Sequence, residues 1–370
     1  MSKEKIPYRV MISGGGTGGH IYPALAIAQE IKQRYPDTKF MFVGARGRME
    51  MVKVPAAGFA ITGLWISGIQ RKLTLSNLLF PVKLIASLVK SWLLVSKFKP
   101  HAVIGTGGYA SGPVSMVANA KGIPLLIQEQ NSFPGLTNRK LAAKAKKVCV
   151  AYDHMDRFFK KEQLVLSGNP VRKDIIHYAE QKEAGLKKYD FNDNKPVLMV
   201  MGGSLGARTI NECILDSIDV LIESGIQVLW QTGKIYYKNI LKEVKGMDLT
   251  NIRIVEFIDE MEKAYAVSDV VISRAGALSI SELCLVGKAV IFVPSPNVAD
   301  DHQTKNAQAL VDVNAALMVT DSDAPKFLVK HAVDLLNHTD KQIELGKNIR
   351  NLAKPEATKT IVDEFEKILN

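Results

Sequence analysis

The chain has 370 residues, 47% of them hydrophobic and 23% charged, which leaves room for two cores and excludes a largely disordered protein. Its net charge of +11 is unevenly placed: residues 1–165 carry 24 Lys and Arg against 8 Asp and Glu, and the remainder carries 24 against 29. The first half therefore favours polyanions such as an anionic membrane surface, while Cys149, Cys213 and Cys284, too far apart for a C-x-x-C pair, exclude a disulfide framework and a structural zinc site.

A first strand is expected at residues 9–13, too short an apolar run for a signal peptide. It leads into Gly14-Gly15-Gly16-Thr17-Gly18-Gly19-His20 and a helix with Ala24, Leu25, Ile27, Ala28 and Ile31 on its core face. Gly14, Gly16 and Gly19 satisfy G-x-G-x-x-G, which invites a dinucleotide. The acid expected after the second strand, 39–43, is replaced by Arg46, so only NADP would fit. A histidine side chain can exchange a proton near neutral pH, so His20 is a candidate general base, with helix capping as the competing reading.

No acidic residue occurs between Met51 and Gln128, against eight basic ones. Within this span residues 78–95 form an apolar run broken by a proline and two lysines. It is expected to lie on a surface, with Lys83, Ser87, Lys90 and Lys97 along one stripe beside an apolar face that sits in a headgroup layer. Trp65, Ile66 and Ile69 are expected to extend that surface, so that region 65–99 meets an anionic bilayer. The competing reading is a core helix with one wet stripe.

Strands at 100–105 and 124–128 end in Gly105-Thr106-Gly107-Gly108-Tyr109 and Glu129-Gln130-Asn131. After a break at Gly168-Asn169-Pro170 the plan repeats. A strand at 196–201, the loop Gly202-Gly203-Ser204-Leu205-Gly206-Ala207-Arg208 and a helix over 209–223 precede strands at 226–231, 252–256, 269–273, 289–293 and 315–319. This alternation predicts an α/β protein with two Rossmann-like domains, 1–167 and 168–352, whose parallel sheets face each other across a cleft. A helix at about 353–370 returns to the first. The second glycine loop lacks the G-K-[ST] of a Walker A motif, which disfavours kinase chemistry. Asp321-Ser322-Asp323 is read as helix capping, so no metal is assigned. In residues 270–282 a buried strand, a tight loop and a helix starting at Ala277 offer a phosphate site, with Glu282 placed for a ribose; an ordinary turn is the alternative.

Together these motifs, with Gly168-Asn169-Pro170-Val171-Arg172 and Asp301-His302-Gln303-Thr304-Lys305-Asn306-Ala307, resemble the peptidoglycan N-acetylglucosaminyltransferases of glycosyltransferase family 28, over nearly the whole chain and in order. The resemblance implies the GT-B fold, no cofactor, and inverting transfer of N-acetylglucosamine from UDP-N-acetylglucosamine to the C4 hydroxyl of undecaprenyl-pyrophosphate-linked lipid I. The enzyme would be peripheral, on the cytoplasmic face of the inner membrane. It further implies uracil recognition by the backbone at Ile258 and diphosphate-side contacts from Ser204 and Arg172. The helix start Ala277-Leu278-Ser279-Ile280-Ser281-Glu282 would sit at the phosphates and ribose. Donor-sugar contacts would come from Gln303 and, reaching from the first domain, Thr17, Gly18, Gly19 and Asn131. Leu205 and Ser279 stand where Gln and Thr are frequent in the family. His20 is the first candidate for the base, with Glu129 and Tyr109 as alternatives. A non-catalytic nucleotide-sugar or lipid binder and an NADP oxidoreductase remain open; nucleic-acid binding is disfavoured because the basic half lacks interleaved stacking aromatics.

Overall fold

Short apolar runs punctuated by glycine and proline build two parallel sheets in the structure, a computed structural model that describes residues 7–68, 79–203, 205–298 and 301–369. Contacts divide the chain into Met1–Val171 with Pro355–Asn370, and Arg172–Lys354.

The first unit runs β1 (Arg9–Gly14), α1 (Gly18–Arg34), β2 (Lys39–Ala45), α2 (Glu50–Ala56), β3 (Ile61–Leu64), α3 (Phe80–Phe98), β4 (Ala102–Gly107), α4 (Ser111–Ala120), β5 (Leu125–Glu129), α5 (Leu136–Ala142), β6 (Lys147–Val150) and β7 (Leu164–Leu166). Its strand order is β3-β2-β1-β4-β5-β6-β7, all parallel. Strands β3, β6 and β7 were not anticipated; they have three or four residues each, too few to establish a period.

The second unit runs α6 (Lys182–Tyr189), β8 (Val197–Met201), α7 (Arg208–Asp216), α8 (Ile218–Glu223), β9 (Gln227–Gln231), α9 (Tyr237–Glu243), β10 (Ile252–Val255), α10 (Met261–Val267), β11 (Val270–Ser273), α11 (Ala277–Val286), β12 (Ala289–Phe292), α12 (His302–Val311), β13 (Leu317–Met318), α13 (Ala324–Leu336) and α14 (Thr339–Asn351). The order β10-β9-β8-β11-β12-β13 is again parallel throughout. The single helix expected over 209–223 is broken at Ser217 (φ −112°, ψ 17°), where Asp216 and Ser217 are both weak helix formers.

The last helix, α15 (Ala357–Leu369), belongs to the first unit. Its Ile361, Val362 and Phe365 pack with Val10, Ile12, Ile27 and Ile104, each burial stabilising by about 1.5–3 kcal/mol. Arg34 of α1 secures it by donating to Asp363 (2.5 Å) and Glu366 (3.1 Å). The first unit ends at Val171 rather than at the expected 167 because Asn169 is sewn into it. Its Oδ1 accepts from Gln128 Nε2 (2.8 Å) and its Nδ2 donates to the carbonyl of Gln130 (3.0 Å), both bonds buried.

Helix α3 exposes its apolar face as expected, but Lys83 and Lys90, expected to meet lipid, turn inward. Lys83 Nζ donates to Ser67 Oγ (3.1 Å), Ser87 Oγ to the Trp65 carbonyl (3.1 Å) and Lys90 Nζ to the Gly63 carbonyl (2.8 Å). Ser87 and Lys90 face inward because they supply donors to carbonyls on and just after β3. Burial, followed by the charge of Arg46, lowers the Lys90 pKa. The exposed side carries Val82, Ile85, Val89, Trp92 and Leu93, beside exposed Lys97. Trp65 is half-exposed, but Ile66 is buried, contrary to expectation; Ile69 lies outside the described residues. Among the described residues no helix is long and apolar enough to cross a membrane.

Candidate functional site

In each sheet the chain builds outward in one direction and then reverses, so a switch point lies between β1 and β4 in the first unit and between β8 and β11 in the second. Loops leaving the carboxyl ends of those strands are where an open parallel sheet binds ligands. They are the glycine-rich stretches of the sequence.

In the first unit the loop after β1 is wrapped around Glu50, at the start of α2 and fully buried. Its Oε2 accepts from the N–H of Gly16 (3.1 Å) and its Oε1 from the N–H of Ala45 (2.9 Å). A Cβ at Gly15 would lie 2.2 Å from Glu50 Oε1, so glycine is required there by the carboxylate. The Gly15 carbonyl accepts from His20 Nδ1 (2.9 Å), and Thr17 Oγ1 lies 3.2 Å from the same nitrogen. A carbonyl cannot donate, so Nδ1 carries the proton and the neutral ring has its lone pair on Nε2. The imidazole lies against Gly107, where a Cβ would come within 3.0 Å of Nε2. Thr106 Oγ1 donates to the His20 carbonyl (2.8 Å), locking the start of α1 to the end of β4. Thr17, Gly18 and Gly19 occupy the turn into α1, and half-exposed Tyr109 lies next to Gly68.

Glu129, at the end of β5, is 1% exposed. Its oxygens accept from the N–H groups of Asn131 (3.0 Å) and Gly135 (3.2 Å) and from the amides of Asn138 (2.8 Å) and Asn131 (3.3 Å). Burial raises its pKa, and those four donors oppose the rise. The carboxylate is thus enclosed by its own loop, a geometry that suits holding Asn131 better than taking a substrate proton.

In the second unit the loop after β8 turns on Gly203 and Gly206, both with positive φ. At Gly206 a Cβ would fall 2.1 Å from the Thr232 carbonyl. Ser204 lies outside the described residues, and Arg208 is exposed with Glu212 3.7 Å away. Helix α11 starts beside this loop in the sheet order. Its N-cap is Gly276, which has no side chain to cap it, and its first turn contains no acidic residue, so the amides of Ala277, Leu278 and Ser279 form the positive end of the helix that favours an anion. Ile280 is buried, and Ser281 Oγ donates back to the Ala277 carbonyl (2.9 Å), so these two serve the helix. Glu282 Oε1 accepts from Arg172 Nε (3.1 Å), while Oε2 accepts from Tyr265 Oη (3.3 Å). The two residues assigned to ribose and diphosphate therefore hold each other. Ile258 is buried after half-exposed Phe257. Gln303 Oε1 accepts from the N–H of Ser295 (2.9 Å), which fixes its amide and points its NH2 away from that bond.

Asp321 does not cap a helix, contrary to expectation. Its Oδ1 pairs with Arg274 (2.5 Å) and its Oδ2 accepts from Thr209 (2.8 Å), while Arg274 also donates to the carbonyls of Val293 and Pro294 (3.0 Å each). This network ties the loops after β11 and β12 to the start of α7. Asp323, the N-cap of α13, makes no capping bond. Among the described residues no cluster of side chains is suited to a metal ion. Sequence reasoning missed Glu50, Arg274, Tyr265 and Asn138, since each acts on a partner distant in the chain or in another element. A buried-charge signal, an acid or Arg within an apolar stretch, would have found the first two.

Models of glycosyltransferase family 28 match residues 10–150 as the N-terminal domain and residues 197–361 as the C-terminal domain. The chain belongs to glycosyltransferase family 28. Relatives within family 28 include a protein of Cytophaga hutchinsonii, 56% identical over 99% of this chain and 98% of its own, and one of Flavobacterium psychrophilum, 51% identical over 98% of each. Both are named UDP-N-acetylglucosamine--N-acetylmuramyl-(pentapeptide) pyrophosphoryl-undecaprenol N-acetylglucosamine transferase. The solved structure of Acinetobacter baumannii MurG is similar at a TM-score of 0.79 and 30% identity, covering 98% of this chain and all of that one. A Neisseria meningitidis UDP-GlcNAc 2-epimerase bound to UDP-GlcNAc matches at 0.67 with 14% identity and shares the fold alone. The two α/β units are thus those of a GT-B protein, and the family resemblance drawn from the motifs holds.

Proposed function

We propose that the protein transfers N-acetylglucosamine from UDP-N-acetylglucosamine to the C4 hydroxyl of the N-acetylmuramoyl-pentapeptide of lipid I, making lipid II for the cell wall. The observation that carries the reading is the asymmetry of the two glycine loops. In the first unit the Gly16 amide is already taken by the protein's own carboxylate, Glu50, which disfavours a dinucleotide pyrophosphate there. Arg46, the only support for NADP, donates through Nε to the Gly63 carbonyl (3.2 Å) instead. In the second unit the first turn of α11 carries no acidic residue of its own, which suits it to the UDP diphosphate.

On this reading Ile258 offers backbone groups to uracil, Glu282 the ribose contact, Arg172 and Ser204 diphosphate contacts, and Gln303 its NH2 to the donor sugar. Thr17, Gly18, Gly19 and Asn131 serve the sugar from the first unit. His20 Nε2 takes the C4 hydroxyl proton as the oxygen forms its bond to the anomeric carbon. The bond from that carbon to the diphosphate breaks, UDP departs with the electron pair, and the configuration inverts. Helix amides and Arg172 stabilise the charge on the leaving diphosphate. Tyr109 borders the same loop, and Glu129 holds Asn131 in place.

The membrane contact expected of region 65–99 is proposed in altered form: the apolar comb Val82, Ile85, Val89, Trp92 and Leu93 enters the bilayer interface, with Lys97 and Lys121, whose Nζ lies 3.8 Å above the Trp92 ring, meeting anionic headgroups. This would hold the enzyme at the cytoplasmic face, next to its lipid-linked acceptor. His20→Ala tests the mechanism. Turnover is expected to fall by about 10²–10⁴-fold with the UDP-induced rise in melting temperature intact, and near-normal turnover would remove His20 as the base.

A further inference from the structure

The environment of Glu50 goes further than loop packing. Its carboxylate bonds two backbone N–H groups 29 residues apart in sequence, those of Gly16 and Ala45, at 3.1 and 2.9 Å. Two glycines make room for it: a Cβ at Gly15 would fall 2.2 Å from Oε1, and one at Gly44 would fall 2.5 Å from Cγ. The peptide plane it grips leads directly to His20, since Gly16 N–H and the Gly15 carbonyl belong to the same peptide unit. One face of that unit is bonded to Glu50 and the other to His20 Nδ1. A peptide group rotates as a rigid plane, so fixing its N–H fixes its carbonyl. The backbone N–H of Gly15 also donates to the Gly107 carbonyl (3.3 Å), and His20 lies against Gly107. Bonds on both sides of Gly15 thus set the direction of one carbonyl oxygen.

We infer that Glu50 is a positioning residue for transfer: through the Gly15–Gly16 peptide it aims the carbonyl that holds the proton on His20 Nδ1, and so keeps the basic lone pair on Nε2. This rests on the proposed role of His20 as base. Rotation of the peptide would turn the oxygen away from Nδ1, release the ring to exchange tautomers, and lower the fraction of enzyme with a base at Nε2. Binding of the UDP portion of the donor, assigned to the second unit, should not feel the change.

Glu50→Gln keeps the shape but presents an NH2 to one of the two N–H donors, so one grip is lost. The expected result is a kcat lower by about 10- to 100-fold, with the UDP-induced rise in melting temperature unchanged. In a His20→Ala background the same substitution should cause little further loss, because Glu50 acts through His20. Nitrogen NMR of the wild-type imidazole should show the Nδ1–H tautomer, and Glu50→Gln should populate Nε2–H. An unchanged kcat, or an equal loss with and without His20, would reduce Glu50 to a packing residue. A wild-type Nε2–H tautomer would overturn the inference even if the variant fails to fold. Failure of the reading beneath it is distinguishable, because His20→Ala would then turn over normally whatever Glu50 does.

Discussion

Removing the Glu282 carboxylate separates the bonds it makes within the protein from the ribose contact proposed for it. Its oxygens accept from Arg172, whose guanidinium is 44% exposed, and from the hydroxyl of Tyr265, which is fully buried. Burial first, and then the charge of Glu282, raise the Tyr265 pKa well above its usual value, so this hydroxyl remains a donor across the working pH range. In Glu282→Ala the hydroxyl loses its partner at a cost of about 1–3 kcal/mol, while the half-exposed ion pair adds only about 0–1 kcal/mol. A charge-assisted bond to a ribose hydroxyl contributes about 1.5–3 kcal/mol, and each 1.4 kcal/mol is tenfold, so the donor KM should rise by about 10- to 100-fold. Glu282→Gln restores an acceptor for Tyr265, so it should recover most of the stability and little of the donor affinity. Initial rates against UDP-N-acetylglucosamine concentration, with urea unfolding in parallel, measure both quantities. A donor KM within twofold of wild type in both variants, with stability lost only in Glu282→Ala, would leave Glu282 as a structural acceptor and refute its role in the nucleotide site.

Arg274→Met should destabilise the second unit by about 1–3 kcal/mol in urea unfolding, because it leaves Asp321 and two carbonyls without their shared donor; no change would mean the network is not formed in solution. All three cysteines are buried, and burial pushes the thiols of Cys213 and Cys284 up to about 11 and about 12 and that of Cys149 higher still. A thiol reagent at pH 8 should therefore label the native protein slowly and the urea-unfolded protein at all three positions, and rapid native labelling would contradict this burial. Replacing Ile85, Val89 and Leu93 together by Ser should lower cosedimentation with anionic vesicles by tenfold or more while leaving transfer to a soluble acceptor unchanged; equal cosedimentation would move the membrane surface elsewhere.

What the sequence made legible was local. Glycine runs at the ends of apolar strands marked the loops at both switch points, because close backbone approach leaves glycine as its signature. His20 and the α11 start were found on that ground. Nothing local singled out Glu50, since its distant partner Gly16 meets it only once β1 and β2 pair. The Arg274–Asp321 pair spans 47 residues and has no local pattern, so Asp321 was read by its neighbours as a cap. Helix α3 shows a different limit. Its period revealed the polar stripe and the exposed apolar face, but not that the carbonyls of Gly63 and Trp65 accept from Lys90 and Ser87 and draw those two inward. The unit boundary shifted for a similar reason, through the buried bonds of Asn169.

The central claim is the transfer itself, and incubation of the protein with UDP-N-acetylglucosamine labelled in the sugar and a lipid I analogue tests it most directly. The account predicts label in the lipid product, one UDP released per sugar moved, and an anomeric configuration opposite to that of the donor. Binding of the donor without consumption in the presence of acceptor, or a product that retains configuration, would contradict it.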